Sequence, residues 1–248
     1  MTAVEVGAAV APPFGRARTY AALLALALGG FGIGSTEFVA MGLLPEIARD
    51  LLPGLYATNA EEAIGQSGWV ITAYALGVVV GAPTIAALAG RLPRRRLLLW
   101  LAAAFTVGTV ASATLPTFEL VIAARFAAGL PHGAYFGVAA LVAASLMGPG
   151  KRGQGVALVL SGLTVATVIG VPVITAVGQA AGWRAAYLVV AALFAATFVA
   201  VRILVPWQPG DANSTVRSEL AAFGRVQVWV AVAVGAIGFG GFFAVYSY

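Results

Sequence analysis

The chain of 248 residues contains no cysteine and a single histidine, His132. The missing cysteine excludes disulfides, thiolate metal sites and a cysteine nucleophile, and one histidine cannot build a histidine-rich metal site. Charge is also scarce. Only 9% of residues are Asp, Glu, Lys or Arg, against about 25% in soluble domains. Apolar residues take their place: the sequence is 61% hydrophobic with a mean hydropathy of +0.97, the composition of an integral membrane protein. The net charge of +5 is not read as nucleic-acid binding, because the basic residues collect in loops on one side. Attraction of those loops to anionic lipid is a secondary reading.

The order along the chain is all-α and polytopic. Residues 1–18 read as a cytoplasmic tail rather than a signal peptide, since the apolar run after Arg16 and Arg18 exceeds a signal h-region. Spans follow at about Thr19–Leu44, Gln66–Gly90, Leu97–Leu115, Phe118–Gly148, Gly155–Gln179 and Ala185–Val205, each near the ~20 residues a bilayer requires. Residues 45–65 read as an outer loop and 206–225 as a polar cytoplasmic linker with Asp211, Asn213 and Glu219. A seventh span begins near Val226 and still runs at Tyr248. The expected organisation is a six-helix N-terminal bundle over 19–205, followed over 226–248 by the first helix of a second bundle. On this reading the chain is truncated, and the second half of the same transporter is an expected partner. Arg91, Arg94, Arg95, Arg96, Lys151 and Arg152 fall on one side with the tail, whereas Arg49 and Arg184 fall on the other. The first side is therefore cytoplasmic by the positive-inside rule. The expected location is the inner cell membrane.

The stretch Glu119–Gly148 organises the rest. It reads as one apolar helix carrying Arg125 and His132, with Gly129, Gly133 and Gly137 at every fourth position and Pro131 among them. An arginine near the middle of a lipid-exposed helix costs about 2.5–3.5 kcal/mol, while each Leu, Ile, Val or Phe returns only about 0.3–0.6 kcal/mol. Such a helix belongs inside a bundle, its glycine row forming a flat side for a neighbour. Span 1 is its counterpart if spans repeat as inverted triplets, and it too is broken by glycines (Gly29, Gly30, Gly32, Gly34) and carries an acid, Glu37. With span 1 ending near Leu44 and span 4 starting near Phe118, both charges lie seven residues in. At 1.5 Å per residue that is about 10 Å below the outer surface. Glu37 and Arg125 are thus expected to interact, directly or through water, when Glu37 is ionised. Protonation would weaken that contact, as a proton-coupled switch requires. A permanent structural pair is the alternative. His132 lies two turns beyond Arg125 on roughly the same face, as a proton relay or substrate contact, or as a neutral imidazole bonded beside the Pro131 kink. Phe136 is one turn further and is a candidate cavity-lining residue. Pro172, after Gly170, should kink span 5.

Two soluble-protein patterns fail on context. Gly148–Gly153 matches G-x-G-x-x-G, but no strand precedes it and the next acid is Asp211. Ser145 stands where a Walker glycine belongs. An ion gradient is then the natural energy source, and no cofactor, metal or enzymatic activity is expected.

Several segments resemble the major facilitator superfamily, and within it the bacterial twelve-helix drug:proton antiporters of the arabinose-efflux-permease and chloramphenicol-exporter type. They are Gly34-Ser35-Thr36-Glu37-Phe38-Val39 leading to Gly42–Ala48, and Gly68–Gly77 (which contains Tyr74) with Gly81-Ala82-Pro83 after it. The turn Arg91-Leu92-Pro93-Arg94-Arg95 sits at the superfamily's D-R-x-G-R-R signature, with Gly90 in place of the acid and Pro93 in place of the glycine. Arg125-x-x-x-Gly129 resembles the fourth-helix R-x-x-q-G motif, with Ala128 at the glutamine position. Gly170-Val171-Pro172 is similar to the fifth-helix antiporter motif, and Gly182-Trp183-Arg184 also fits. The resemblance implies twelve helices around a central cavity, a gating loop at Arg91, Arg94 and Arg95, proton coupling at Arg125, and Tyr74 as a further cavity-lining residue. The expected function is proton-coupled efflux of a small organic molecule, a drug or sugar, by alternating access. A facilitator without proton coupling and a non-transporting membrane scaffold are the alternatives.

Overall fold

Backbone polar groups inside a bilayer must find partners within their own segment, so long apolar runs fold as helices. The computed structural model describes residues 15–212, 215–216, 221 and 224–246. Most of the N-terminal tail, together with Asn213, Arg217, Glu219 and Tyr248, lies outside them. Among the described residues there is no strand. The helices are α1 (Arg16–Phe38), α2 (Leu44–Leu51), α3 (Pro53–Thr58), α4 (Ala60–Ser67), α5 (Trp69–Ala89), α6 (Arg94–Thr114), α7 (Phe118–Gly129), α8 (Pro131–Met147), α9 (Arg152–Val165), α10 (Val171–Ala181), α11 (Trp183–Leu204) and α12 (Val226–Tyr246). Grouped by continuity, six stretches are long and apolar enough to cross a membrane: α1, α4 with α5, α6, α7 with α8, α9 with α10, and α11. The expected all-α polytopic bundle is present, and the seventh expected span is helical over Val226–Tyr246.

Helix α1 is the inner helix. Its apolar stretch is 72% buried, against 33–44% for the other five spans. It packs on α9 and α11, while α11 also packs on α6, and α5 on α7 and α8. Leu23, Leu26, Ile33, Phe105, Tyr135 and Phe194 fill the core. Phe105 and Phe194 stack with ring centroids 4.4 Å apart, and the Tyr135 hydroxyl donates to the Leu26 carbonyl at 3.1 Å. Leu24, Leu88, Trp100, Val107, Val168 and Ile203 point outward, which suits a lipid surround rather than water.

The crossings of α5 with α7 and α8 depend on glycine. A Cβ on Gly129 would lie 2.2 Å from the Tyr74 carbonyl oxygen, and one on Gly77 would lie 2.1 Å from that of Phe126, so α5 and α7 meet backbone to backbone. A Cβ on Gly133 would lie 2.5 Å from Ala82 Cβ, but Gly137 faces open space. The expected flat side therefore covers only the first two members of the glycine row.

Three expectations need correction. The first span ends at Phe38, not near Leu44, and a 3₁₀ turn at Met41–Leu43 redirects the chain. Residues 45–65 are not a loop but the short helices α2, α3 and the start of α4. Their start signals are ordinary: Pro45 near the N-terminus of α2, Pro53 opening α3, and Asn59 capping α4 by accepting from the Glu62 N–H at 3.2 Å. The fourth span is two helices, not one. Pro131 has no N–H to offer the Ala127 carbonyl, which instead accepts from Leu130 N at 3.3 Å. In the fifth span a π turn at Ala166–Gly170 precedes Pro172, so a local register change there meets the missing N–H.

Candidate functional site

Arg125 is the largest fully buried side chain described, with 0% exposure. A buried guanidinium is tolerable only if its N–H groups and charge are satisfied. Nη1 donates to Thr36 Oγ1 at 2.9 Å, Nη2 to the Thr36 carbonyl at 3.1 Å, and Nε to the Val70 carbonyl at 3.4 Å. The Thr36 carbonyl is close to the end of α1, where the last four carbonyls of a helix have no intrahelical partner. Helix α7 thus reaches α1 and α5 through one side chain. Two aromatic faces complete the enclosure: the guanidinium carbon lies 4.3 Å from the Tyr74 ring centroid and 5.3 Å from that of Tyr187 on α11. Both distances suit cation–π attraction.

Glu37 is half-buried in the last turn of α1, beside Thr36. It feels the Coulombic pull of Arg125, but the two are not within salt-bridge distance. The expected direct pairing is therefore absent in this conformation. The guanidinium is bonded to the residue preceding the acid, at the same level of the bundle. Because α1 stops at Phe38, Glu37 does not lie seven residues from the end of its helix as the sequence suggested.

His132, just after the α7–α8 break, shares a 3.1 Å hydrogen bond between its Nδ1 and the Tyr74 hydroxyl. Its ring lies 5.5 Å from that of Phe136. Tyr74, expected in a cavity wall, is only 3% exposed: its ring faces Arg125 and its hydroxyl meets His132. Phe136 is half-buried, edge-on to Tyr135. One connected group results, running from Glu37 and Thr36 through Arg125 and Tyr74 to His132. Among the described residues no group of three or more His, Asp or Glu side chains comes together that could hold a metal.

The profile of the Major Facilitator Superfamily matches residues 3–248. The chain belongs to the major facilitator superfamily. Similar proteins include the inner membrane transport protein YdhP of Escherichia coli K12, 40% identical over 226 residues that cover 91% of this chain and 56% of YdhP. The putative transporter AraJ of the same strain is 35% identical, covering 91% of this chain and 55% of AraJ. The chloramphenicol resistance protein of Streptomyces lividans is 36% identical, covering 87% and 54%. The chain spans about half the length of the curated relatives it matches. It is a multi-pass membrane protein of a transporter superfamily.

The superfamily-like turn between α5 and α6 is tied to the segment after α11. Arg94 N donates to the Gln208 carbonyl at 3.1 Å, Asp211 N donates to the Gly90 carbonyl at 3.0 Å, and the Arg95 guanidinium donates to the Arg202 carbonyl. Arg91 is exposed, while Arg94 and Arg95 are half-buried. Asp211 and Arg94 line the same cavity of about 510 Å³ with Gly133, Gly137 and Leu141 of α8. At the opposite end Asp50 Oδ2 accepts from Trp183 Nε1 at 3.0 Å and pairs with Arg184 at 3.1 Å. Arg184 Nη1 also donates to the Ala113 and Leu115 carbonyls, each at 2.9 Å. In the fifth span, a Cβ on Gly170 would lie 2.7 Å from the Phe31 ring and 3.0 Å from Ser35 Oγ, so the π turn lies against α1 (Pro172 itself is exposed).

Sequence reasoning missed Thr36 and Tyr187. Thr36 had a signal, a hydroxyl beside an intramembrane acid. Tyr187 had none that separates it from a packing aromatic.

Proposed function

We propose that the protein is half of a secondary active transporter that exports a small organic molecule in exchange for protons, with its N-terminus in the cytoplasm of a bacterial inner membrane. The observation carrying this reading is the buried Arg125, held at Thr36 with Glu37 as the adjacent acid. Intramembrane charges are costly and are functional by default. An ionised Glu37 attracts the guanidinium and a protonated one does not, so the proton changes how firmly α7 is tied to the end of α1. Alternating access needs such a two-state element, whose balance both proton and substrate bias. His132 and Tyr74 extend the polar path toward the middle of the bundle. The turn at Arg91, Arg94 and Arg95 serves as the cytoplasmic gate, and the π turn at Gly170 lets the fifth span flex against α1. The name of the Streptomyces relative supports a drug-like substrate.

The test is transport in membrane vesicles containing the protein expressed from its complete gene, with an imposed pH gradient and chloramphenicol among the probes. Glu37→Gln is expected to abolish gradient-driven accumulation by a factor of ten or more (about 1.4 kcal/mol of coupling) while leaving downhill exchange. Undiminished proton-driven transport in that variant removes Glu37 from the mechanism.

A further inference from the structure

Tyr187 sits 1% exposed in the core, and its hydroxyl oxygen has no hydrogen-bond partner among the described residues. Leaving a buried hydroxyl unsatisfied is unfavourable, and phenylalanine would fill the same volume without that penalty. The ring faces the guanidinium of Arg125, which carries five N–H groups and uses three of them on Thr36 and Val70. A ring bearing an unpartnered hydroxyl thus has its centroid 5.3 Å from the guanidinium carbon of a cation with donors to spare. The ring is also held in place. Its centroid is 5.5 Å from that of Trp183, at 90°, and Trp183 is anchored to Asp50.

We propose that Tyr187 is a positioning residue whose hydroxyl is a second berth for Arg125, taken when the guanidinium loosens from Thr36. This rests on the proton-coupled reading above. Protonating Glu37 removes the charge that holds the guanidinium toward the end of α1. A guanidinium leaving Thr36 in a dry interior needs another acceptor, since stranded N–H groups have no water to turn to. The Tyr187 oxygen supplies it and accepts one N–H. The shift transfers the tie of α7 from α1 to α11, and through Trp183 to the Asp50–Arg184 cluster at the end of the bundle. The other charged or titratable groups facing this region are Glu37 on α1, Tyr74 on α5, and His132 and Tyr135 on α8. The π turn and α10 carry none, α9 has only Arg152 and α6 only Arg94–Arg96, all in first turns.

The test needs no substrate. Proton binding at Glu37 is followed by its carboxyl infrared band, assigned by difference from Glu37→Gln, in the purified protein expressed from its complete gene. The second berth stabilises the state with Glu37 protonated, so Tyr187→Phe, which keeps the ring and loses only the hydroxyl, is expected to bind that proton at least about threefold more weakly. Its thermal midpoint should be unchanged or higher, because the hydroxyl has no bond to lose. Unchanged proton binding in Tyr187→Phe, or loss of its fold, overturns the second berth. If Glu37 shows no titration between pH 5 and 9 in the unsubstituted protein, the proton-coupled reading fails instead, and the two failures are distinct.

Discussion

At the scale of the residue, Thr36 is the least conspicuous member of the site and supplies most of what binds Arg125. It gives the guanidinium two acceptors at once, Oγ1 and its own carbonyl. The planar fork of arginine suits that pair, and a lysine ammonium would not span it. Thr36→Val keeps the shape and removes one acceptor, stranding a buried N–H of a cation. The expected loss is about 1–3 kcal/mol of stability. Thr36→Ser, which keeps the oxygen, should recover most of it. Thermal unfolding of the three proteins in detergent checks this, and equal midpoints for Thr36→Val and the unsubstituted protein would show that the bond contributes nothing.

At the scale of the element, the bundle depends on where glycine lets backbones touch, and the three evenly spaced glycines of the fourth span are not equivalent. Gly129→Ala places a methyl 2.2 Å from the Tyr74 carbonyl oxygen and forces α5 and α7 apart. The displaced crossing also carries the Tyr74 ring that faces Arg125. A loss of about 1–3 kcal/mol is expected, the cost of overpacking. Gly137→Ala meets nothing within 4 Å and should be neutral or gain up to about 1 kcal/mol from helix propensity. Chemical unfolding of both variants separates the two positions. Spacing alone could not, because a four-residue repeat says which face is flat but not how far a neighbour follows it. The same distinction runs through the fold. The apolar spans were legible because hydropathy over ~20 residues is a strong signal. The helices over 44–67 were masked by Glu46, Arg49, Asp50, Glu61 and Glu62, which made a loop the simplest reading although Pro45, Pro53 and Asn59 marked starts. Arg125, His132 and Glu37 stood out as rare polar residues in apolar runs. Tyr187 did not, because its role comes from a contact 62 positions away along the chain, between residues 125 and 187.

At the scale of the whole molecule, the two ends of the bundle are fastened by different means. Asp50, Trp183 and Arg184 tie one end through side chains, in an exposed ion pair of a kind that contributes about 0.2–1 kcal/mol. The other end adds backbone ties to the Arg95–Arg202 contact: the chain after α11 doubles back so that Gln208 and Asp211 bond Arg94 and Gly90 across the α5–α6 turn. That return requires Gly210, where a Cβ would lie 2.4 Å from the Arg91 carbonyl oxygen and 2.5 Å from that of Leu92. The stretch leading toward α12 is therefore attached to the arginine-rich turn, so a movement of one displaces the other. Gly210→Val should detach it. The Arg94 and Asp211 amides would lose their acceptors and exchange hydrogen faster, by about tenfold for each 1.4 kcal/mol of local stability lost. Amides within α5 and α6 should keep their protection, since α5 is held by α7 and α8, and α6 by α11. If the two marker amides exchange at the unsubstituted rate, the backbone tie does not hold this end of the bundle.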